Sequence, residues 1–309
     1  MRCLVPALLL VAVAVAAPVP TRTIRVSVRP VGESERILKI ADFKVRVNGK
    51  PVPVISEKSP RDGQMIILVL DLAGDLTDAQ AAKDTLVAEL SQLPASTLVA
   101  LIRAQDGPAV VLDPTTDRSS IADAIQSSPV AGKAGLLDSL IAIETLADGI
   151  SRASNIRVAT LYVTDSSVTN YREDFSNPVI NSSDSHDLSR RFPGALIGEK
   201  IDKLEGEITG RETPIYIAHL RYSASTLGAA YQSGLKRLAE VTGGWSDFCA
   251  STAEIPDSVH QGFGAMTSGY TLSVGLPPKV SAVLQIHVES AEQGLVYRSR
   301  LVLNHSEKR

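Results

Sequence analysis

The chain has 309 residues, of which 44% are hydrophobic and 21% are charged, with 31 Lys and Arg residues against 34 Asp and Glu residues. This aliphatic composition is typical of a chain that buries a core, and it excludes disordered, collagen-like and disulfide-scaffold proteins. The formal net charge of −3 supplies no extended positive field, so nucleic acid is not expected among the partners.

The N-terminus predicts a secretory signal peptide over residues 1–17. Arg2 precedes an unbroken apolar run from Leu4 to Ala17, with small residues at Ala14 and Ala16 that suit a peptidase site. A membrane anchor is the alternative, but about 14 apolar residues at ~1.5 Å each fall short of the ~30 Å hydrocarbon core. We therefore expect a protein exported to the periplasm or the extracellular space, with no transmembrane segment after cleavage.

Residues 18–63 alternate apolar and polar side chains, as in Ile24 to Val28 and Phe43 to Val47, and an Asn48-Gly49 turn follows the second run. This pattern predicts β-strands and a hairpin. Residues 266–309 show the same alternation. Three C-terminal strands are predicted, over Tyr270–Val274, Ala282–Glu289 and Leu295–Leu303.

Residues 64–265 follow a different pattern. Met65 to Leu70 is a continuous apolar run, which indicates a strand that is covered on both faces. Strands and helices then alternate, which predicts an α/β domain with a doubly wound, Rossmann-like, mostly parallel sheet. Two or three strands alone are marginal, so we expect the flanking β regions to form one small β-sandwich into which this domain is inserted. The elements predicted after the first strand are a helix over Thr77–Leu93 with Thr77 as N-cap, strands over Thr97–Ile102 and Ala109–Leu112, helices over Ser119–Gln126 and Leu136–Ser151, a strand over Arg157–Thr164, a helix over Ala195–Ile208, a strand over Pro214–Leu220 and a helix over Leu227–Val241.

Several segments together resemble a known family. The first α/β strand ends in DLAGD at 71–75, AGKAGLLDSL follows at 131–140, and a later strand ends in YVTD at 162–165. The chain resembles a von Willebrand factor A (vWA) domain, and more narrowly the secreted vWA-related proteins of the acidobacterial type. That family also has a lead-in like DFKVRVNGKPVPV at 42–54 and a segment like LKRLAEVTGG at 235–244.

The resemblance implies a metal-ion-dependent adhesion site (MIDAS) in which oxygen ligands hold Mg²⁺ and a partner carboxylate completes the shell. In this chain the pattern is degenerate. Asp71 and Asp165 keep the acidic positions, but Ala73 and Asp75 stand where the family has serines, and Lys133 stands at the threonine position. We expect no bound cofactor.

Three interpretations of this site remain open. The Lys133 ammonium could lie among Asp71, Asp75 and Asp165 in place of a metal, since crowded carboxylates need a counter-charge. Alternatively, Lys133 could point to solvent while the aspartates cap turns and helices. In the third interpretation, Asp71, Asp75 and Asp165 retain a Mg²⁺ ion.

No catalytic motif is present in the sequence. The five histidines lack metal-ligand spacing, and no G-x-S-x-G elbow or P-loop follows a strand. Cys249, the only cysteine left after cleavage, is expected to be a buried apolar residue. The sequence therefore predicts a protein that is not an enzyme.

The function implied by the resemblance is adhesion or protein interaction, with a protein or a cell-surface polymer as the partner. The polar segment 166–191 leaves the strand that ends near Asp165, and it is either a loose loop or a contact surface. The alternative function is that of a structural or assembly component of a cell-envelope complex.

Overall fold

The computed structural model describes residues 22–32, 37–154, 156–167, 193–290 and 294–303. The predicted signal peptide and most of the polar segment 166–191 lie outside these residues. Within them, no helix is long and apolar enough to cross a membrane.

The described residues form fourteen strands and six α-helices. The strands are β1 (Arg22–Pro30), β2 (Phe43–Val47), β3 (Lys50–Val52), β4 (Val54–Lys58), β5 (Gln64–Asp71), β6 (Leu98–Arg103), β7 (Ala109–Thr115), β8 (Arg157–Thr164), β9 (Ile215–His219), β10 (Trp245–Phe248), β11 (Tyr270–Leu276), β12 (Val283–Ser290), β13 (Leu295–Tyr297) and β14 (Arg300–Val302). The helices are α1 (Leu76–Gln92), α2 (Arg118–Ser127), α3 (Leu136–Ala153), α4 (Pro193–Ile208), α5 (Thr226–Val241) and α6 (Ile255–Thr267).

The α/β domain contains a six-stranded sheet in the order β10-β9-β8-β5-β6-β7. All neighbouring pairs are parallel except β6 and β7, which are antiparallel. Numbered from β5, this order is 3-2-1-4-5-6, the doubly wound order of Rossmann-like folds. The predicted fold class is confirmed.

Helices cover both faces of this sheet. Met65, Ile67 and Val69 of β5 pack in a core with α3, α4 and α5. The alternate residues of β5 pack in a second core with α1, α2 and α6. Because both of its faces are covered, all eight residues of β5 are buried.

The flanking strands form two four-stranded sheets, β13-β1-β11-β4 and β14-β12-β2-β3. Apolar residues of both sheets share one core, so the N- and C-terminal regions pack together as a β-sandwich. The single strand predicted over Leu295–Leu303 is wrong. The strand is interrupted between β13 and β14, because β13 pairs with β1 in one sheet and β14 pairs with β12 in the other.

The sandwich contacts the end of the α/β domain where the parallel strands begin. The Arg157 guanidinium, at the start of β8, donates to the carbonyl of Gly269 just before β11 and to the Gln64 side chain. On the other side of this junction, Arg25 of β1 donates to the carbonyl of Ser151 in α3. The carboxyl ends of β5, β8 and β9 therefore lie at the opposite end of the domain.

Buried ionisable side chains lie near the same junction. Glu144 of α3 is fully buried and accepts a hydrogen bond from the Tyr162 hydroxyl at 3.0 Å. Burial raises the pKa of Glu144 to about 8. Arg298, between β13 and β14, is also buried, and burial lowers its pKa to about 10 against the charges of Asp148 and Glu212. Glu144 is therefore mostly protonated at neutral pH.

The raised pKa of Glu144 gives a prediction for stability. The contribution of Glu144 to the free energy of unfolding is fully present below pH 4.5 and is lost as pH rises through about 8. The reason is that the folded state keeps up to about pH 8 a proton that the unfolded state loses near pH 4.5. Glu144→Gln stays neutral, so relative to the wild type it should gain about 4 kcal/mol of unfolding free energy between pH 5 and pH 8.5. Urea unfolding at both pH values measures this difference.

The matched control is Glu240→Gln, which changes an exposed carboxylate on α5. The control should show no comparable pH-dependent gain. Parallel stability curves for the wild type and Glu144→Gln across this pH range would contradict the assignment of a protonated, buried Glu144.

Candidate functional site

The candidate site lies at the carboxyl ends of β5, β8 and β9, which is where ligands meet open parallel sheets. We call it the rim, defined by the loop 71–76, Asp165 and the segment 219–223. Asp71 ends β5, and Asp165 directly follows β8. The structure thus brings Asp71, Ala73, Asp75 and Asp165 together at one edge of the sheet.

Asp71 is fully buried, and its carboxylate is bound by groups of the chain itself. It accepts hydrogen bonds from the backbone N–H groups of Gly135 and Leu136, at 2.9 and 3.1 Å, and from the Thr164 hydroxyl at 3.2 Å. Burial raises the pKa of Asp71 to about 6 despite these bonds. The two N–H groups begin α3, so Asp71 holds the N-terminus of that helix.

Asp165 receives three successive backbone N–H groups. Its carboxylate accepts from Ala73 at 2.8 Å, from Gly74 at 2.7 Å and from Asp75 at 3.2 Å. Burial raises the pKa of Asp165, while these bonds oppose the shift. A Cβ at Gly74 would lie 2.9 Å from the Asp165 Oδ2 atom. The loop after β5 is therefore folded around the carboxylate of Asp165, which follows the adjacent strand β8.

Asp75 is the N-cap of α1, where Thr77 was predicted. Its side chain accepts from the N–H groups of Thr77 and Asp78. The prediction of Thr77 as N-cap was wrong because the loop that Asp165 holds places Asp75 at the helix start, and a carboxylate there satisfies two free N–H groups.

Arg221, two residues after β9, is the cation that the structure places against this loop. Its Nη2 atom lies 2.9 Å from Asp75 and 2.7 Å from Asp78, and its Nε atom donates to Asp78 as well. Arg221 is the main cause that lowers the pKa of Asp75. Asp78 is buried and also accepts from the Thr252 hydroxyl. Arg221 thus ties the end of β9 to the start of α1.

Lys133 is exposed on the loop that precedes α3. Its N–H donates to the Asp106 carboxylate at 2.8 Å, and its carbonyl accepts from the Asp106 N–H at 2.9 Å. The described hydrogen bonds to Asp71, Asp75 and Asp165 come from backbone N–H groups, the Thr164 hydroxyl and Arg221. A Lys133 ammonium among the aspartates therefore stays a prediction.

Behind the rim, a chain of buried polar side chains runs toward α5. The Thr164 and Ser166 hydroxyls are 2.8 Å apart, and Ser166 lies 2.8 Å from the Tyr231 hydroxyl. The His219 Nε2 atom donates to the Ser166 carbonyl, and its Nδ1 atom accepts from the Arg221 N–H. Burial lowers the pKa of His219, so this histidine is neutral and links Arg221 to β8. Sequence analysis did not identify Ser166, His219, Arg221 or Tyr231.

The residues at the rim do not fit the metal site that the resemblance implies. The carboxylates of Asp71 and Asp165 already accept three hydrogen bonds each, and Asp75 is paired with Arg221. Ala73 has no side-chain oxygen to offer. In the described part of the chain, no group of three or more His, Cys, Asp or Glu side chains is arranged to hold a metal ion.

Comparisons with known proteins find similar solved structures but no similar sequence family. No protein-family model matches the sequence, and no curated protein matches it significantly. A von Willebrand factor type A structure from Catenulispora acidiphila is 12% identical, with a TM-score of 0.45 over 94% of this chain and 75% of that one.

Two further solved structures are similar to this chain. PTMP1 of the mussel byssus, solved with a zinc-occupied MIDAS motif, is 12% identical with a TM-score of 0.44 over 70% of this chain and 49% of that one. A mutant of the PilB minor pilin from Streptococcus sanguinis is 10% identical with a TM-score of 0.45, over 67% of this chain and 62% of that one. This chain spans about half the length of PTMP1. The assignment of the fold rests on the strand order described above.

The contacts of Asp165 predict a structural role for its carboxylate. Asp165→Ala leaves three N–H groups of the loop without their acceptor, so the unfolding free energy should fall by about 2–4 kcal/mol. Asp165→Asn keeps an acceptor oxygen and should lose less. Urea unfolding at pH 7 measures both changes.

Asp113→Ala, which removes an exposed carboxylate on β7, is the matched control and should change stability by less than about 0.5 kcal/mol. If Asp165→Ala were as mild as this control, the three hydrogen bonds would not hold the loop.

Proposed function

We propose that this protein is an exported, non-enzymatic protein-interaction module of the vWA type, whose rim binds its partner without a metal ion. One observation supports the proposal that the rim binds a partner. Two large apolar side chains at the rim are exposed beside the ion pair of Asp75 and Arg221. Leu76 is 70% exposed and Tyr222 is 51% exposed. Tyr and Arg are the residue types enriched in binding patches, and Leu76 adds exposed apolar area next to them.

Metal independence is supported by how the acidic side chains are used. A divalent ion needs several open lone pairs on its carboxylate ligands, whereas Asp71 and Asp165 each use three of about four to accept hydrogen bonds. The positive charge that faces Asp75 comes from Arg221, which is part of the chain. Binding at such a rim would use the patch itself and no bridging ion.

The absence of catalysis is proposed from the chemistry of the available groups. Both ring nitrogens of His219 are used in hydrogen bonds that hold the structure. Cys249 is buried, as the sequence predicts, and burial raises its pKa to about 11, so it is a poor nucleophile. The Ser166 hydroxyl is hydrogen-bonded to Thr164 and Tyr231, and the neighbouring His219 ring bonds the Ser166 carbonyl and not its hydroxyl.

A second candidate function, an assembly component of an envelope complex, is favoured by the edge strand β7. Val110 is 58% exposed and Val111 is 41% exposed on this strand, and an exposed apolar edge is a template for pairing with another chain. Sedimentation of the purified protein distinguishes the two functions. A stable monomer supports reversible interaction, whereas concentration-dependent association abolished by Val110→Lys supports assembly.

Metal independence is tested by calorimetric titration with MgCl₂ and MnCl₂. No saturable heat is expected up to millimolar concentrations, because no free set of oxygen ligands is available. Asp71→Ala provides the control for background heat. Saturable binding in the wild type that this variant abolishes would overturn the metal-free rim.

The interaction patch is tested by crosslinking pull-down from the envelope of the source cells. Leu76→Ala/Tyr222→Ala should reduce recovery of the partner at least fivefold, and EDTA should leave recovery unchanged. The matched control, Val31→Ala/Leu146→Ala, removes exposed apolar side chains elsewhere and should retain the partner. Loss of the partner in EDTA, or equal recovery with both double variants, would contradict the proposal.

A further inference from the structure

The sandwich carries a second exposed surface, on the sheet β14-β12-β2-β3. One face of this sheet supplies Phe43, Val45, Leu284 and other residues to the sandwich core. The opposite face is turned outward. Because the sandwich contacts the end of the α/β domain where the strands begin, this outer face lies away from the rim.

The register of the strands brings specific side chains together on this face. His287 of β12 pairs with Arg46 of β2, and Glu289 pairs with Lys44. On the other side of β12, Gln285 pairs with Arg300 of β14. Burial alternates along β2 and β12 accordingly. We call this surface the basic face, and it consists of Lys44, Arg46, Gln285, His287, Glu289 and Arg300.

The basic face has more positive than negative charge. Lys44, Arg46 and Arg300 supply three cations, and Glu289 is the single acid among the six residues. Glu289 lies 3.8 Å from Arg46 and 2.9 Å from the His287 ring. No ion pair is described for Lys44 or Arg300 in the part of the chain that the structure covers. The excess is local, since the chain as a whole carries a net charge of −3.

The geometry points to an anionic polysaccharide as the ligand of the basic face. Side chains on one face of a strand repeat every ~7 Å, and neighbouring strands lie ~5 Å apart. Lys44 and Arg46 therefore lie about 7 Å apart along β2, and Arg300 lies about 10 Å from β2, across β12, so one extended polyanion can contact all three cations. Such an array attracts a polyanion through several weak, salt-sensitive contacts.

The neutral and aromatic groups on this face also suit a sugar chain. Gln285 and Arg46 present planar hydrogen-bonding groups to solvent, and the exposed His287 ring, whose nitrogens bond Glu289 and Tyr297, adds a flat surface beside them. The Tyr297 hydroxyl lies 2.8 Å from the His287 Nδ1 atom, and the two rings are 6.0 Å apart at 79°. This bond fixes the orientation of the imidazole. None of the six residues is an apolar side chain that could insert into a lipid layer.

Binding is tested with sodium alginate, a polyuronate, by biolayer interferometry at low salt, with neutral dextran as the uncharged probe. Alginate should bind, and its affinity should fall steeply as NaCl is raised, whereas dextran should not bind. Lys44→Gln/Arg46→Gln/Arg300→Gln should weaken alginate binding at least tenfold because it removes all three cations.

The charge-matched control is Arg61→Gln/Lys203→Gln/Lys236→Gln, which removes three exposed cations from outside the sandwich. Its affinity should stay within twofold of the wild type, and circular dichroism should show that both triple variants are folded. Equal loss in both triple variants would mean a general charge effect and would overturn the proposal. Failure of the wild type to bind alginate would overturn it as well.

Two further measurements separate this surface from other ligands and from the rim. Vesicles of phosphatidylglycerol should bind far more weakly than alginate, and preferential binding to vesicles would reassign the face to a lipid surface. Leu76→Ala/Tyr222→Ala should leave alginate binding unchanged. Loss of alginate binding in this rim variant would contradict a separate surface on the sandwich, whatever the outcome of the pull-down.

Discussion

The capture of the Asp165 carboxylate by three successive backbone N–H groups is the interaction on which the rim depends. The loop after β5 has no regular secondary structure, so its N–H groups need acceptors wherever they are buried. Asp165 supplies one carboxylate to Ala73, Gly74 and Asp75. This arrangement fixes where α1 begins and therefore where the N-cap and its arginine partner lie.

The same arrangement changes what the aspartates can do. In a metal site, carboxylate oxygens face a cation from solution. Here they face N–H groups of the loop and of the α3 N-terminus, and Arg221 supplies the positive charge at Asp75. The acidic residues that resemble a MIDAS therefore act as internal acceptors, and the exposed side chains of the rim are Leu76 and Tyr222, which the proposed function assigns to partner binding.

Most of the architecture was predictable from patterns in the sequence. The continuous apolar run of β5 indicated a strand covered on both faces, and the alternation around Val26 and Val45 indicated the sandwich. Helix α6 was missed because Gly262 and Gly264 lower helix propensity within it. The helix has an apolar face that packs in the core, but the glycines interrupt its pattern in the sequence. Gly262 is needed for packing, because an added Cβ would lie 3.2 Å from the Trp245 ring. The interruption between β13 and β14 was missed because apolar residues on both sides of it fall on the same set of alternate positions, at Leu295, Tyr297, Leu301 and Leu303.

The sequence by itself determined the class of fold, the order of its segments and the places where the family's ligands are replaced, since periodicity and residue identity are local properties. Only the tertiary structure decided which groups satisfy the aspartates. Asp71, Asp165 and Arg221 come from the ends of three different strands, and their side chains meet because parallel strands end at one edge of the sheet. The basic face was decided in the same way, because strand register placed Arg46 beside His287 across about 240 residues of chain.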